Sequence, residues 1–219
     1  MPTPSTGKLI ILNGACSVGK TSCAIALQNR LPDCKPNVLL GIDAFHLAIP
    51  SKKLLLGCGD ENYLLAHETK NDGIIETEIL HGKYIHQINI ARYKAIACFL
   101  DQGVDVITDE IFWREKDLSP FLTALNRHRV YIIGLYVREE VGSEREQRRS
   151  MNSDNAKDDY RPTGMHRASR VTDTFMAYDF EIDSTDQTPE QCAEKITDWL
   201  ASQPQATAFQ ALRIKYLVN

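Results

Sequence analysis

Eight residues close to the N-terminus, Gly14-Ala15-Cys16-Ser17-Val18-Gly19-Lys20-Thr21, follow the pattern G-x-x-x-x-G-K-[ST], and few patterns of that length restrict a chain so tightly. Gly14 and Gly19 let the backbone turn sharply and approach an anion with no Cβ in the way, so successive N–H groups converge on phosphates. Lys20 is placed to reach the outer phosphates, and Thr21 offers a hydroxyl to a magnesium ion. A helix starting here aims the positive end of its dipole at the same charge. The flanks agree with this reading. Leu9-Ile10-Ile11-Leu12 is an apolar run of strand length, and Cys23, Ala24, Ala26, Leu27 and Leu31 recur at helical spacing. The predicted unit is therefore strand, loop, helix.

With 219 residues the chain fits one domain with an insertion and is long enough to bury a substantial core. A hydrophobic share of 43% and a charged share of 25% are those of an ordinary globule, and a net charge of -4 argues against a general nucleic-acid binder. The six cysteines, Cys16, Cys23, Cys34, Cys58, Cys98 and Cys192, form no C-x-x-C pair, which points to reduced thiols. His81 and His86 are five apart, a spacing that does not align two ligands on one helix face, so no zinc site is expected. Residues 1–7 lack a basic stretch leading into an apolar one, and no run reaches membrane-spanning length. The expectation is a cytoplasmic protein with neither a membrane nor a nucleic-acid partner.

After the first helix, a turn at 32–36 leads into a predicted strand over 37–43 that ends in Asp43. An acid at a strand's carboxyl end faces the ligand crevice of an open α/β sheet, but Asp43 suits equally well the N-cap of a helix over 44–49. Residues 51–81 are punctuated by Gly57, Gly59, Asp60, Asn62, Asn71, Asp72 and Gly73, the pattern of a hairpin-like insertion on the substrate side or of a plain surface connection. Ile85, Ile88, Ile90, Tyr93, Ile96, Ala97 and Leu100 make 83–102 a packing helix closed by Gly103. The next strand, 104–110, ends in two acids. Asp109 is the natural magnesium partner of Thr21, and Glu110 either shares that work or orients a water. Ile111-Phe112-Trp113 reads as pocket wall or core.

A helix is predicted over 118–128, strands over 130–137 and 178–183, and a last helix over 189–200. Between Arg138 and Arg170 stand Arg145, Arg148, Arg149, Arg161 and Arg167, split by the polar stretch 151–160. That is the composition of a lid closing over a triphosphate, or of a solvated helix carrying the i,i+4 pair Glu144 and Arg148. The fairly apolar tail, 203–219, either packs on the domain or mediates self-association.

Several of these stretches together resemble the chloramphenicol phosphotransferase-like family of P-loop kinases. They are Leu9-Ile10-Ile11-Leu12-Asn13-Gly14 leading into the phosphate loop, Gly41-Ile42-Asp43 with Ala48-Ile49-Pro50, and Ile107-Thr108-Asp109-Glu110-Ile111-Phe112. To these are added Tyr178-Asp179-Phe180-Glu181-Ile182-Asp183-Ser184 and Pro189-Glu190-Gln191-Cys192-Ala193. The resemblance implies one α/β domain over 1–219, a three-layer α/β/α P-loop NTPase of the kinase type. Its mainly parallel five-stranded sheet runs in order 2-3-1-4-5, with a core over about 8–200, a substrate-side insertion over about 51–81 and an arginine-rich lid over about 138–170.

The same resemblance implies ATP and magnesium as co-substrates and Asp43 as the base that takes the proton of a substrate hydroxyl. Lid arginines would stabilise the phosphoryl group in flight. The candidate catalytic set is then Asp43, Lys20, Arg145, Arg148 and Arg149. The nucleotide set is Gly14, Ala15, Cys16, Ser17, Val18, Gly19, Lys20 and Thr21 with Ser22, Arg161 and Arg167, and the metal set is Thr21 and Asp109. The partner is a small-molecule hydroxyl acceptor; a nucleotide, a nucleotide-sugar or a cofactor precursor is the alternative, and a module that binds ATP without turnover is a third. No D-x-x-G follows Asp109 and no N-K-x-D occurs, which argues against a GTPase switch.

Overall fold

Strand β1 (Lys8–Asn13) is apolar on both faces, which a strand tolerates only when both sides of its sheet are covered. Leu9 and Ile11 point into one layer of the core, while Ile10 and Leu12 point into the other. A computed structural model describes residues 6–32, 35–50, 61–151 and 162–217. Along the chain follow α1 (Lys20–Arg30), β2 (Asn37–Leu39), α2 (Ile42–His46), β3 (Leu64–Asn71), β4 (Ile74–His81), α3 (Lys83–Asp101), β5 (Asp105–Glu110) and α4 (Leu118–Ala124). Then come β6 (Arg129–Tyr136), α5 (Glu139–Met151), α6 (Met165–Ser169), β7 (Phe180–Asp183), α7 (Pro189–Ala201) and α8 (Ala208–Leu217).

Five of the strands form one sheet in the order β2-β5-β1-β6-β7, and every pairing in it is parallel. Numbered among themselves these strands run 2-3-1-4-5, as the resemblance implied. Helices α3, α4 and α8 cover one face through Tyr93, Ile96, Leu100, Phe121, Leu122, Phe209 and Leu212. Helices α1 and α7 cover the other through Cys23, Ala24, Leu27, Cys192, Ala193 and Ile196. Helix α7 starts with a full capping box, in which Thr188 and Gln191 exchange bonds, and with Pro189 in its first turn.

Two expectations shift and one open alternative resolves. The second strand stops at Leu39 rather than running to Asp43, because Gly41 begins the short helix α2 and Asp43 lies inside its first turn. The helix predicted over 118–128 ends at Ala124. The C-terminal tail packs on the domain: α8 places Ala208, Phe209 and Leu212 in the core, and the Asp179 carboxylate accepts from the N–H groups of Thr207 at 2.7 Å, Ala208 at 2.8 Å and Ile132 at 2.9 Å. The insertion contains an antiparallel hairpin, β3 with β4, turning at Asp72 and Gly73; its positions 51–60 lie outside the described residues. Among the described residues, no helix is long and apolar enough to cross a membrane.

Candidate active site

The parallel pairing of β1 with β5 sets Asn13 beside Glu110 and Leu12 beside Asp109, so the loop that leaves β1 and the acids that end β5 share one edge of the sheet. There the Thr21 hydroxyl meets the Asp109 carboxylate, Oγ1 to Oδ2 at 2.5 Å. Residues 88 positions apart thereby supply two hard oxygen donors at one point, the chemistry that magnesium prefers. Gly41 leaves room for this, since a Cβ there would fall 2.0 Å from Asp109 Oδ1.

The Lys20 ammonium folds back onto the loop that precedes it, donating to the carbonyls of Gly14 at 2.8 Å and Ala15 at 2.6 Å. Desolvation holds its pKa below the usual lysine range, against the pull of Cys16 and Asp109, and the Arg149 charge lowers it further. Burial likewise pushes the Cys16 thiol up, and Lys20 opposes that shift. The Cys16 N–H does not face an anion; it donates to Ser169 Oγ at 2.8 Å. Ser22 is exposed in the first turn of α1 beside Thr21.

Glu110 has a structural task. Its two carboxylate oxygens form a bidentate pair with the Arg92 guanidinium, and both side chains are buried. Thr108 Oγ1 donates to it at 2.8 Å and the Tyr93 hydroxyl at 3.4 Å. A carboxylate held by four donors is not poised to orient a water, and neither sharing the metal nor that role fits its surroundings. Phe112 belongs to the core cluster and also lines a small cavity with Ile111, His81 and Arg92, while Trp113 is buried.

Asp43 is exposed in the first turn of α2, where the helix dipole favours a carboxylate. One turn on, His46 is buried, with burial and the Arg92 charge lowering its pKa while Asn89 and Asp43 act in the opposite sense. The His81 ring lies edge-on to it at 6.5 Å, and burial, His46 and Arg92 depress the His81 pKa to about 4. Two buried imidazoles whose pKa values are held down by burial therefore lie on the side of the site to which α2 belongs.

The arginines divide. Arg145 donates to the carbonyls of Ser184 at 2.9 Å and Thr185 at 3.3 Å, tying α5 to the end of β7. Arg148 pairs with Glu144 one turn back at 2.5 Å and is exposed, the solvated alternative rather than the lid contact. Arg167 is held by Glu139, which also takes Arg170 at 2.5 Å. Arg149 is exposed, and its charge is felt at both Lys20 and Cys16. Arg161 lies outside the described residues.

Several residues of the site carry no motif. Arg92 and Asn89 interrupt the apolar stripe of α3 at i,i+3 on its buried face, a signal present in the sequence but outweighed by the surrounding isoleucines. Asn13 donates to the Glu110 carbonyl at 3.2 Å and accepts from Tyr178 at 2.9 Å and Thr172 at 3.2 Å, so the end of β1 is anchored to the turns that follow α6.

A family model described as "Chloramphenicol phosphotransferase-like protein" matches residues 7–201. Two Mycobacterium tuberculosis proteins, from strains CDC 1551 / Oshkosh and ATCC 25618 / H37Rv and each named "Putative O-phosphotransferase", are 32% identical to this chain over 212 residues, covering 96% of it and 90% of the relative. Among solved structures, the APS kinase CysC of M. tuberculosis in complex with AMPPNP and APS superposes with a TM-score of 0.60 at 12% identity, over 90% of this chain and 99% of that one. The Deinococcus radiodurans tunicamycin resistance protein gives 0.56 at 16% identity, over 89% and 95%. Shikimate kinase from Acinetobacter baumannii in complex with shikimate gives 0.54 at 12% identity, over 91% and 96%. These three likenesses concern the fold.

Proposed function

The chain belongs to the chloramphenicol phosphotransferase-like family, a family of P-loop phosphotransferases, and from that premise we propose that it transfers the γ-phosphoryl group of ATP to a hydroxyl of a small molecule. The observation that carries the reading is the meeting of Thr21 and Asp109 at the mouth of the phosphate loop. Thr21 and Asp109 would hold magnesium, which when bound neutralises phosphate charge and fixes the phosphate geometry. The loop amides and Lys20 bind the phosphates. Lys20 then leaves the carbonyls of Gly14 and Ala15, an exchange that its half-buried, partly desolvated ammonium favours once an anion is present. Ser22, at the start of α1, adds a hydroxyl on the nucleotide side. The AMPPNP in the CysC complex supports ATP as the donor.

Asp43, exposed at the start of α2, accepts the proton of the acceptor hydroxyl. Because the transition state of phosphoryl transfer is loose, alignment and charge neutralisation supply most of the acceleration. Arg149, whose charge is felt at Lys20, adds positive charge near the phosphates, with Arg161 and Arg167 as further nucleotide contacts.

The test is incubation with Mg-ATP and a panel of hydroxyl compounds that includes chloramphenicol, nucleosides and sugar alcohols, with products followed by mass and Asp43→Asn run alongside. Addition of one phosphoryl group to a panel member, absent in the variant, supports both the reaction and the base. Transfer by both proteins removes Asp43 from its role. Bound nucleotide with no product on any hydroxyl favours a binding module without turnover.

A further inference from the structure

The phosphate loop is held in shape from outside. Ser17 has a backbone φ of 63° and Gly19 one of 95°, both in the left-handed region, and for the serine that conformation persists only when surrounding contacts enforce it. The contacts next to it come from α6, about 150 positions later in the chain. Ser169 Oγ accepts from the Cys16 N–H at 2.8 Å, and His166 Nδ1 lies 2.6 Å from the Cys16 carbonyl. A carbonyl only accepts, so Nδ1 carries the hydrogen. The Ser169 hydroxyl donates its own hydrogen to the His166 carbonyl at 3.1 Å, which leaves its lone pair free for Cys16.

The holder is itself braced. Both His166 and Ser169 are buried, and the imidazole lies so close to Gly142 of α5 that a Cβ there would fall 2.1 Å from its Cε1 and Nε2. Glu146 of α5 accepts from the N–H groups of Gly164 and His166, each at 2.8 Å. The hairpin adds a third support, since Thr77 of β4 donates its N–H to the Gly164 carbonyl at 3.1 Å and its hydroxyl to the Thr163 carbonyl at 2.7 Å.

We propose that His166 and Ser169 are positioning residues for nucleotide binding: they clamp both polar groups of the Cys16 backbone and so keep Ser17 to Thr21 in the phosphate-binding conformation. The inference rests on the nucleotide reading given above. With the Cys16 N–H consumed by Ser169, the amides offered to phosphate begin at Ser17, and their alignment depends on α6.

The full-length protein tests this in two measurements. Titration calorimetry with Mg-AMPPNP compares wild type with Ser169→Ala, His166→Gln and His166→Asn, and amide hydrogen exchange over the loop is followed in the same proteins without nucleotide. The asparagine nitrogen can stand where Nδ1 stands, one bond from Cγ, whereas the glutamine nitrogen stands near Nε2 and misses the carbonyl. Ser169→Ala and His166→Gln are expected to weaken binding by about tenfold or more and to speed exchange at Cys16 and Ser17, while His166→Asn stays within about threefold of wild type.

Wild-type affinity and exchange in Ser169→Ala and His166→Gln would overturn the proposal. So would equal losses in His166→Asn and His166→Gln, which would make the ring a packing element. Failure of the wild type itself to bind Mg-AMPPNP would refute the nucleotide reading, and with it the effect on affinity; unchanged loop exchange in Ser169→Ala would then refute the clamp separately.

Discussion

Replacing Arg92 by methionine would strip one partner from an ion pair that has no access to water. Arg92 and Glu110 are exposed by 0% and 1%, and the guanidinium supplies two of the four hydrogen bonds that reach the carboxylate. What remains in the variant is a buried charge facing only the hydroxyls of Thr108 and Tyr93. Breaking a buried pair from one side costs about 3–5 kcal/mol, and for a chain of this length each kcal/mol moves the melting temperature by about 2–4 °C. Arg92→Met is therefore expected to melt about 6–20 °C below wild type and to remain folded at 25 °C, since domain stabilities run to about 5–15 kcal/mol.

The double variant Arg92→Met, Glu110→Gln separates the causes, because the neutral amide keeps hydrogen bonds to Thr108 and Tyr93 with no charge to solvate. It should recover at least half of the loss in urea and thermal melts. A single variant less than about 1 kcal/mol below wild type would show that water reaches Glu110, and a double variant no more stable than the single would show that Arg92 acts by filling space.

Gly41→Ala places a methyl group 2.0 Å from Asp109 Oδ1, so calorimetry should find Mg-AMPPNP binding weakened by about tenfold and metal-free AMPPNP binding much less affected; equal loss with and without magnesium would argue against the metal role. His81 has a folded pKa of about 4 against an ordinary 6.5, so the unfolded chain binds its proton first. This part of the stability is complete above about pH 6.5 and falls as pH drops toward 4, by at most about 3 kcal/mol. Urea melts between pH 7.5 and 4.5 should show the fall, and His81→Gln should flatten it; an unchanged slope would remove His81 as the cause. Phe209 packs edge-on against Phe121 at 5.1 Å and is 5% exposed, so Phe209→Ala should cost about 3–5 kcal/mol in a urea melt, whereas a change under about 1 kcal/mol would mean that α8 is not part of the core.

The elements that sequence made legible are those in which local pattern and burial agree. Leu9 to Leu12 read as a strand because every side chain in it is apolar, and the loop at 14–21 declares itself through two glycines, a lysine and a threonine at fixed spacing. Asp109 could be paired with Thr21 because a strand-end acid next to a phosphate loop has few other partners. Contacts that join distant parts of the chain were hidden. Asp43 sits in a helix instead of a strand, and the room that Gly41 leaves for the Asp109 carboxylate is visible only in three dimensions. Arg145 looked like a phosphate ligand because its partners are the backbone carbonyls of Ser184 and Thr185, which have no letter in the sequence. His166 and Ser169 act on Cys16 across the whole domain in the same silent way.

The position of β1 bears on how the protein is made. Among the described strands of the sheet it is synthesised first, yet it occupies the middle, with Leu9 paired to Val106 on one side and to Val130 on the other. Neither neighbour exists until about a hundred further residues have been produced. Such non-local pairings close long loops before any contact rewards them, so folding should be slow for a domain of this size. During that interval the Leu9-Ile10-Ile11-Leu12 run is an unpaired apolar strand able to associate with other chains, and yield from refolding should fall steeply as protein concentration rises.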